Sequence, residues 1–236
     1  MADEAAQREE TAVPRGEEEY SDAVVDLLGA LAYGELTAFV RLAEDAELAP
    51  TLPYTAALGR LAVAEFNRFE QLRERLVAIG ADPEAAMQPF VAPVDAFHSR
   101  TAPNDWLEGL VKAFVGDGIA TDFYREISAY VDPSTRELVH GVLADTGHAD
   151  FVVGAVREAI DTDPRVGGRL ALWGRRLVGE ALSQAQRVAA DRDALTMVMV
   201  GGSADVPGAD LVEIGRMFAR LTEAHTNRMG RLGLTA

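Results

Sequence analysis

Residues 61–76 have the sequence LAVAEFNRFEQLRERL, in which one acidic residue, Glu65, lies between apolar residues at helical spacing. Leu61, Glu65, Phe69, Leu72 and Leu76 follow one another at spacings of three or four residues, which is typical of a helix with one buried face. Glu65 falls on that face, where an ionised carboxylate is costly unless it is paired or metal-bound. Arg68 follows three positions later, one turn along the same face. The stretch therefore predicts a core helix with charged groups inside it.

The carboxylate of this helix belongs to a pattern that the chain repeats. Glu35 precedes Glu65 by 30 residues, and Asp117 precedes Asp145 by 28, with His148 three positions after Asp145. Four-helix bundles that bind two iron or manganese ions take one carboxylate from each of two helices and a Glu-x-x-His pair from each of the other two. We therefore expect an iron site, with manganese as an alternative, whose ligands are Glu35, Glu65, Asp117, Asp145 and His148.

This sequence differs from the two-ion ligand pattern at one position: Arg68 stands where the second histidine is expected. A guanidinium stays protonated and cannot be a metal ligand. Two interpretations remain open. Either the site binds one ion, or Arg68 forms an ion pair with Glu35 or Glu65 in place of the first ion and no metal binds. His98 is a weaker candidate for the missing ligand.

The remaining sequence predicts helices, because strand-type alternation is essentially absent. Capping residues, glycines and prolines set the expected ends. We expect helices from Ser21 to before Pro50, after Pro53 to about Gly80, from Asn104 or Asp105 to about Tyr130, from Pro133 to about Ile160, from about Arg169 to Asp191, and from Asp210 to about Gly230. A short apolar segment, residues 195–200, is expected to cap the bundle or to continue the fifth helix.

Residues 81–103 contain four prolines, so we expect no long helix there. Their length fits the single long crossover of ferritin-like bundles. Residues 1–19 are acidic and almost free of large apolar side chains, and we expect a disordered tail. The prediction is an all-α, ferritin-like four-helix bundle with one long crossover and two additional C-terminal helices, formed by residues 20–236 as a single domain.

Composition narrows the functional classes. The 236 residues include no cysteine, which excludes disulfides, thiolate zinc sites and iron–sulfur clusters. The net charge of −16 disfavours a nucleic-acid partner, because such affinity comes largely from cations that displace counterions. We see no apolar run near the roughly 20 residues that span a bilayer, and no signal peptide. We therefore expect a cytoplasmic protein with no membrane partner.

A family resemblance rests on the pattern Glu35, Glu65-x-x-Arg68-Phe69, Asp117, Asp145-x-x-His148. Over residues 21–160 the chain resembles the ferritin-like superfamily and, within it, the MiaE-type tRNA hydroxylases. In that family two iron ions activate dioxygen and hydroxylate a modified adenosine of tRNA. The resemblance implies Glu35 and Asp117 as terminal ligands, Glu65 and Asp145 as bridging ligands, and His148 on one iron.

Two functional classes follow from these observations. The first is a MiaE-related, metal-dependent oxygenase or hydroxylase homologue with an incomplete ligand set, whose substrate is a small molecule or a modified nucleoside. The second is a non-catalytic, metal-free bundle that acts as a scaffold or binds a partner. Either class is compatible with a homo-oligomer.

Overall fold

A computed structural model describes residues 15–144, 149–192, 199 and 208–236, with side chains from residue 20 onward. Within these ranges the chain forms eight α-helices and no strand. The helices are α1 (Arg15–Asp45), α2 (Leu52–Ala78), α3 (Pro83–Arg100), α4 (Trp106–Ser128), α5 (Pro133–Val142), α6 (Ala149–Thr162), α7 (Pro164–Asp191) and α8 (Leu211–Arg231). The predicted all-α, ferritin-like bundle is confirmed.

The helices pack around two groups of buried apolar side chains. The first includes Leu28, Leu72 and Ile127, and it joins α1, α2 and α4. The second joins α4 to the C-terminal helices through residues such as Val115 and Leu170. Helices α1 and α2 are neighbours along their length, since only a short 3₁₀ turn (Ala46–Leu48) and a few residues connect them. The middle of α1 therefore lies beside the middle of α2.

Aspartates set the start of most helices after α2. In each case the side chain accepts a hydrogen bond from a backbone N–H of the first turn, which would otherwise lack a partner. These caps are Asp82, Asp105, Asp132, Asp163 and Asp210. They agree with the starts expected for α4, α5 and α8, whereas α7 begins at Pro164 and not near Arg169.

The expectation that residues 81–103 form no long helix is wrong. Helix α3 has 18 residues, with Pro89 and Pro93 inside it. Each internal proline removes one backbone donor, but the helix buries Met87 and Phe90 in the core. Asp82 also caps its first turn, next to a proline at the first position, where a missing N–H costs nothing. The crossover is therefore itself helical and packs against α1 and α7.

The helix predicted from Pro133 to about Ile160 is divided. Helix α5 ends at Val142, and Leu143 and Ala144 are not helical. The carbonyl of Leu143 accepts a hydrogen bond from Arg125 Nη2 at 2.5 Å, and that of Ala144 accepts one from Arg68 Nη2 at 3.1 Å. These arginines, from α4 and α2, supply the donors that a continuing helix would have provided. Asp145 and His148 lie outside the described residues.

The N-terminal helix also differs from expectation. It begins at Arg15 and not at Ser21, while residues 1–14 lie outside the described residues. By length and composition alone, Tyr20–Leu48 is apolar enough to cross a membrane, contrary to our expectation for the chain. In the structure the rest of the protein buries 61% of the most apolar 18 residues of this segment, as in the core helix of a bundle. The cytoplasmic location stays a prediction.

Candidate metal centre

The pairing of α1 with α2 brings Glu35 and Glu65 together inside the bundle. Their exposed fractions are only 6% and 5%. Arg68 lies between them: its Nη1 atom is 3.0 Å from Glu65 Oε2 and 3.9 Å from Glu35 Oε2. Its Nη2 atom donates to the carbonyl of Ala144. One guanidinium therefore links α1, α2 and the end of α5.

Asp117 reaches the same region from α4. Its charge raises the pKa values of both Glu35 and Arg68. Unlike the two glutamates, however, Asp117 keeps an exposed side chain. Its neighbours in the helix are Gly116 and Gly118, which have no side chains to cover it. The expected carboxylate is thus present, but on a face that water reaches.

Burial controls the charges of this group. Burial, followed by the nearby Glu65 and Asp117 carboxylates, raises the pKa of Glu35 well above its ordinary value, and Arg68 offsets only part of this. Although part of Asp117 stays open to water, desolvation by the surrounding helices, followed by the Glu65 charge, raises the pKa of this carboxyl to about 7. Burial lowers the pKa of Arg68, but the charges of Glu65 and Glu35 outweigh it and raise the value overall. The pKa of Glu35 thus stays raised even beside the Arg68 guanidinium.

A tyrosine and a histidine also bear on this group. Tyr124 belongs to α4: burial raises the pKa of Tyr124, and the Glu35 charge adds to the rise. His98 instead contacts Thr37, with 3.3 Å between Nε2 and Oγ1. It does not supply the ligand missing at Arg68.

The chain matches a protein-family model described as a ferritin-like domain of actinomycetes over residues 18–202. It belongs to that family. The fold of this ferritin-like protein also matches a solved structure titled "Protein 19 with aldehyde deformylating oxidase activity from Synechococcus". The two are 21% identical, with a TM-score of 0.69, over 92% of this chain and 93% of the other. A search of curated proteins finds no match.

The described part of the ferritin-like site does not fit a two-iron centre. We define the first metal position as the place between Glu35, Glu65 and residue 68, where the bundle pattern puts one ion. Arg68 fills this place with a positive charge. Glu35 Oε2 is buried without a hydrogen-bond partner, and the cation it faces is Arg68 Nη1 at 3.9 Å. Among the described residues, no three His, Cys, Asp or Glu side chains are grouped to hold one ion.

The second metal position depends on residues that the structure leaves undescribed. It would take Glu65 and Asp117 together with Asp145 and His148. The first two are close enough for their charges to interact. The ligand roles of all five residues stay predictions.

A second buried polar cluster, which the sequence analysis missed, lies between α1, α3 and α4. Lys112 is 6% exposed, and its Nζ atom lies 5.7 Å from the ring centre of Phe97. Burial lowers the pKa of Lys112 to about 8, although Asp45 opposes the shift. Burial and Lys112 together lower the pKa of His98 to about 3. The sequence contains one indication of this cluster: Lys112 is a single charged residue within the apolar run at residues 110–115.

Proposed function

We propose that this ferritin-like protein works without a di-iron centre, as a metal-free scaffold or partner-binding protein. The observation that carries the proposal is the position of Arg68, 3.0 Å from Glu65 and 3.9 Å from Glu35. Metal ions neutralise the inward-facing carboxylates of related bundles. Here the guanidinium of Arg68 supplies one positive charge beside Glu65 and Glu35 without a bound cation.

A second candidate is a one-metal oxygenase or hydroxylase, related to the MiaE-type enzymes. Asp117 favours it, because this carboxylate is partly open to water and lies close enough to Glu65 for their charges to interact. With Glu65, Asp145 and His148 it would offer oxygen and nitrogen ligands, which suit Fe(II) or Mn(II). A bound iron ion would supply dioxygen activation with external electrons. The net charge of −16 favours a small molecule or nucleoside over intact tRNA as substrate.

Metal analysis separates the two candidates. Protein purified without an affinity tag is assayed for iron and manganese, and then for binding of added Fe(II) under anaerobic conditions. The metal-free proposal predicts no stoichiometric metal in either measurement. One ion per chain that is lost in His148→Ala would establish the second candidate instead.

The matched control is His140→Ala. His140 lies on α5, close in sequence to His148, but its ring contacts Ser128 Oγ at 3.1 Å. This variant should leave the metal content unchanged under either candidate. Two ions per chain in the unmodified protein would refute both, because Arg68 would then have to leave the first metal position.

A further inference from the structure

Helix α2 carries a regular line of residues along its solvent side. Their positions alternate in steps of four and three, which keeps them on one side of a helix, as at the contact positions of a coiled coil. We call them the outer stripe. It consists of Leu52, Ala56, Gly59, Val63, Phe66, Glu70, Arg73 and Val77.

The large apolar side chains of the outer stripe lie open to water. Leu52 is 84% exposed, Val63 57%, Val77 56% and Phe66 37%. Scattered single apolar residues on a surface are ordinary, but a row of them on one side of a helix marks an interaction site. The small and apolar members follow one another without interruption from Leu52 to Phe66, about 21 Å along the helix axis, and Glu70 and Arg73 separate them from Val77.

The outer stripe is complementary to itself. An antiparallel copy, related by a two-fold axis between residues 64 and 65, would place Val63 opposite Phe66 and Leu52 opposite Val77. The small members Ala56 and Gly59 would face the long charged members Arg73 and Glu70. The large apolar members would thus meet one another near the axis and at both ends of the helix, and the small members would leave room for the long side chains of Arg73 and Glu70.

The space required by such a partner is present. A Cβ atom added at Gly59 would have no neighbour within 4 Å, so the groove over this residue is open to an incoming side chain. Near the proposed axis, Phe66 is braced by Phe39 of α1, with ring centres 5.1 Å apart. A braced aromatic residue at the centre of a contact is the usual source of binding energy in protein interfaces.

We infer that α2 is the interface of a symmetric homodimer, in which the outer stripes of two copies pack antiparallel. The occupant is a second copy of this chain, because the four large exposed members, Leu52, Val63, Phe66 and Val77, lie at positions symmetric about one point, so that each would face another of them in an antiparallel copy. A contact of this kind uses the same patch on both subunits, as closed two-fold dimers do. The inference does not depend on the metal content of the bundle.

Sedimentation velocity tests the dimer. We expect a mass twice that of the 25.3 kDa chain at micromolar concentration. Val63→Glu should weaken dimerisation at least tenfold, because it places a carboxylate in the apolar centre of each stripe. Val63→Glu/Phe66→Lys should recover part of the loss, since the new acid and base face each other across the axis. Leu172→Glu is the control, because Leu172 is 65% exposed on α7 and should leave the mass unchanged.

Disulfide trapping tests the orientation, and the natural chain contributes no cysteine to it. A mixture of Leu52→Cys and Val77→Cys proteins should form a crosslinked pair under mild oxidation, whereas each protein alone should not. Crosslinking by each variant alone, but not by the mixture, would show a parallel pair and overturn the inference. A monomeric unmodified protein, or a dimer that persists in Val63→Glu with native helix content, would also overturn it.

Discussion

The guanidinium of Arg68 has contacts in three parts of the bundle: Glu65 on its own helix, Glu35 on α1 and the carbonyl of Ala144 after α5. The sequence was enough to predict that both glutamates point into the core, because each is a single acid on an otherwise apolar helix face. Whether residue 68 faces the acids or the solvent was left open by the sequence. The answer depends on Ala144, a backbone group 76 positions away that helical spacing cannot locate.

Removal of the Arg68 charge should destabilise the fold. Arg68→Met leaves Glu65 buried without its cation, and breaking such a pair costs about 3–5 kcal/mol in the free energy of unfolding. Urea unfolding measures the change. Adding Glu65→Gln to Arg68→Met should recover part of it, since no charge is then left unpaired.

The control for this loss is an exposed pair of the same type. Arg216 lies 3.3 Å from Glu213, also at a spacing of three residues, but it is 67% exposed. Arg216→Met should change the free energy of unfolding by less than about 1 kcal/mol. If Arg68→Met costs no more than Arg216→Met, the buried pair does not stabilise the bundle as described.

Lys112 should make stability depend on alkaline pH. Because burial lowers its pKa from 10.5 to about 8, the folded protein binds fewer protons than the unfolded chain between these two values. The Lys112 contribution to the free energy of unfolding should therefore rise as pH increases from 8 to 10.5, by up to about 3 kcal/mol. Urea titrations of the unmodified protein and of Lys112→Met isolate this contribution. A stability difference between the two that stays constant across this range would refute the prediction.

At the scale of the elements, sequence patterns predicted most of the helical segments but not where every helix begins and ends. Aspartate caps and apolar spacing are local, so they predicted α4 and α8 closely. The prediction that the proline-rich crossover forms no long helix was wrong. Burial of Met87 and Phe90 stabilises α3 by more than the loss of two backbone N–H donors at its internal prolines destabilises it. The division after Val142 was missed for a related reason: arginines from other helices bind the carbonyls there.

The contact between α1 and α3 requires a glycine. A Cβ atom at Gly29 would lie 2.2 Å from the carbonyl oxygen of Ala86, which belongs to the backbone and cannot rotate away. Gly29→Ala should therefore destabilise the protein by about 1–3 kcal/mol through overpacking. Thermal unfolding measures the loss.

Gly34 provides the opposite case in the same helix. A Cβ atom there would meet nothing within 4 Å. Gly34→Ala should raise the free energy of unfolding by about 0.5–1 kcal/mol, because alanine loses less backbone freedom in a helix than glycine does. Equal effects of the two substitutions would contradict the close approach of α3 to Gly29.

At the scale of the whole molecule, the chain keeps a ferritin-like bundle while its interior changes chemistry. The fold could be predicted because many apolar positions contribute to it, and no single residue decides it. The site could be predicted only in part, because one residue, Arg68, changes what the carboxylates around it can bind. If the interior is metal-free, as we propose, the stability of the bundle depends on packing and on the buried pair of Arg68 and Glu65.

The central claim is that Arg68 occupies the first metal position. Crystals of the unmodified protein soaked in Mn(II), with anomalous diffraction recorded for manganese, test it most directly. The account predicts no manganese peak between Glu35 and Glu65, with the Arg68 guanidinium in contact with Glu65; Arg68→His crystals treated alike should show such a peak. A manganese peak between these glutamates in the unmodified protein, with Arg68 turned away, would contradict the account.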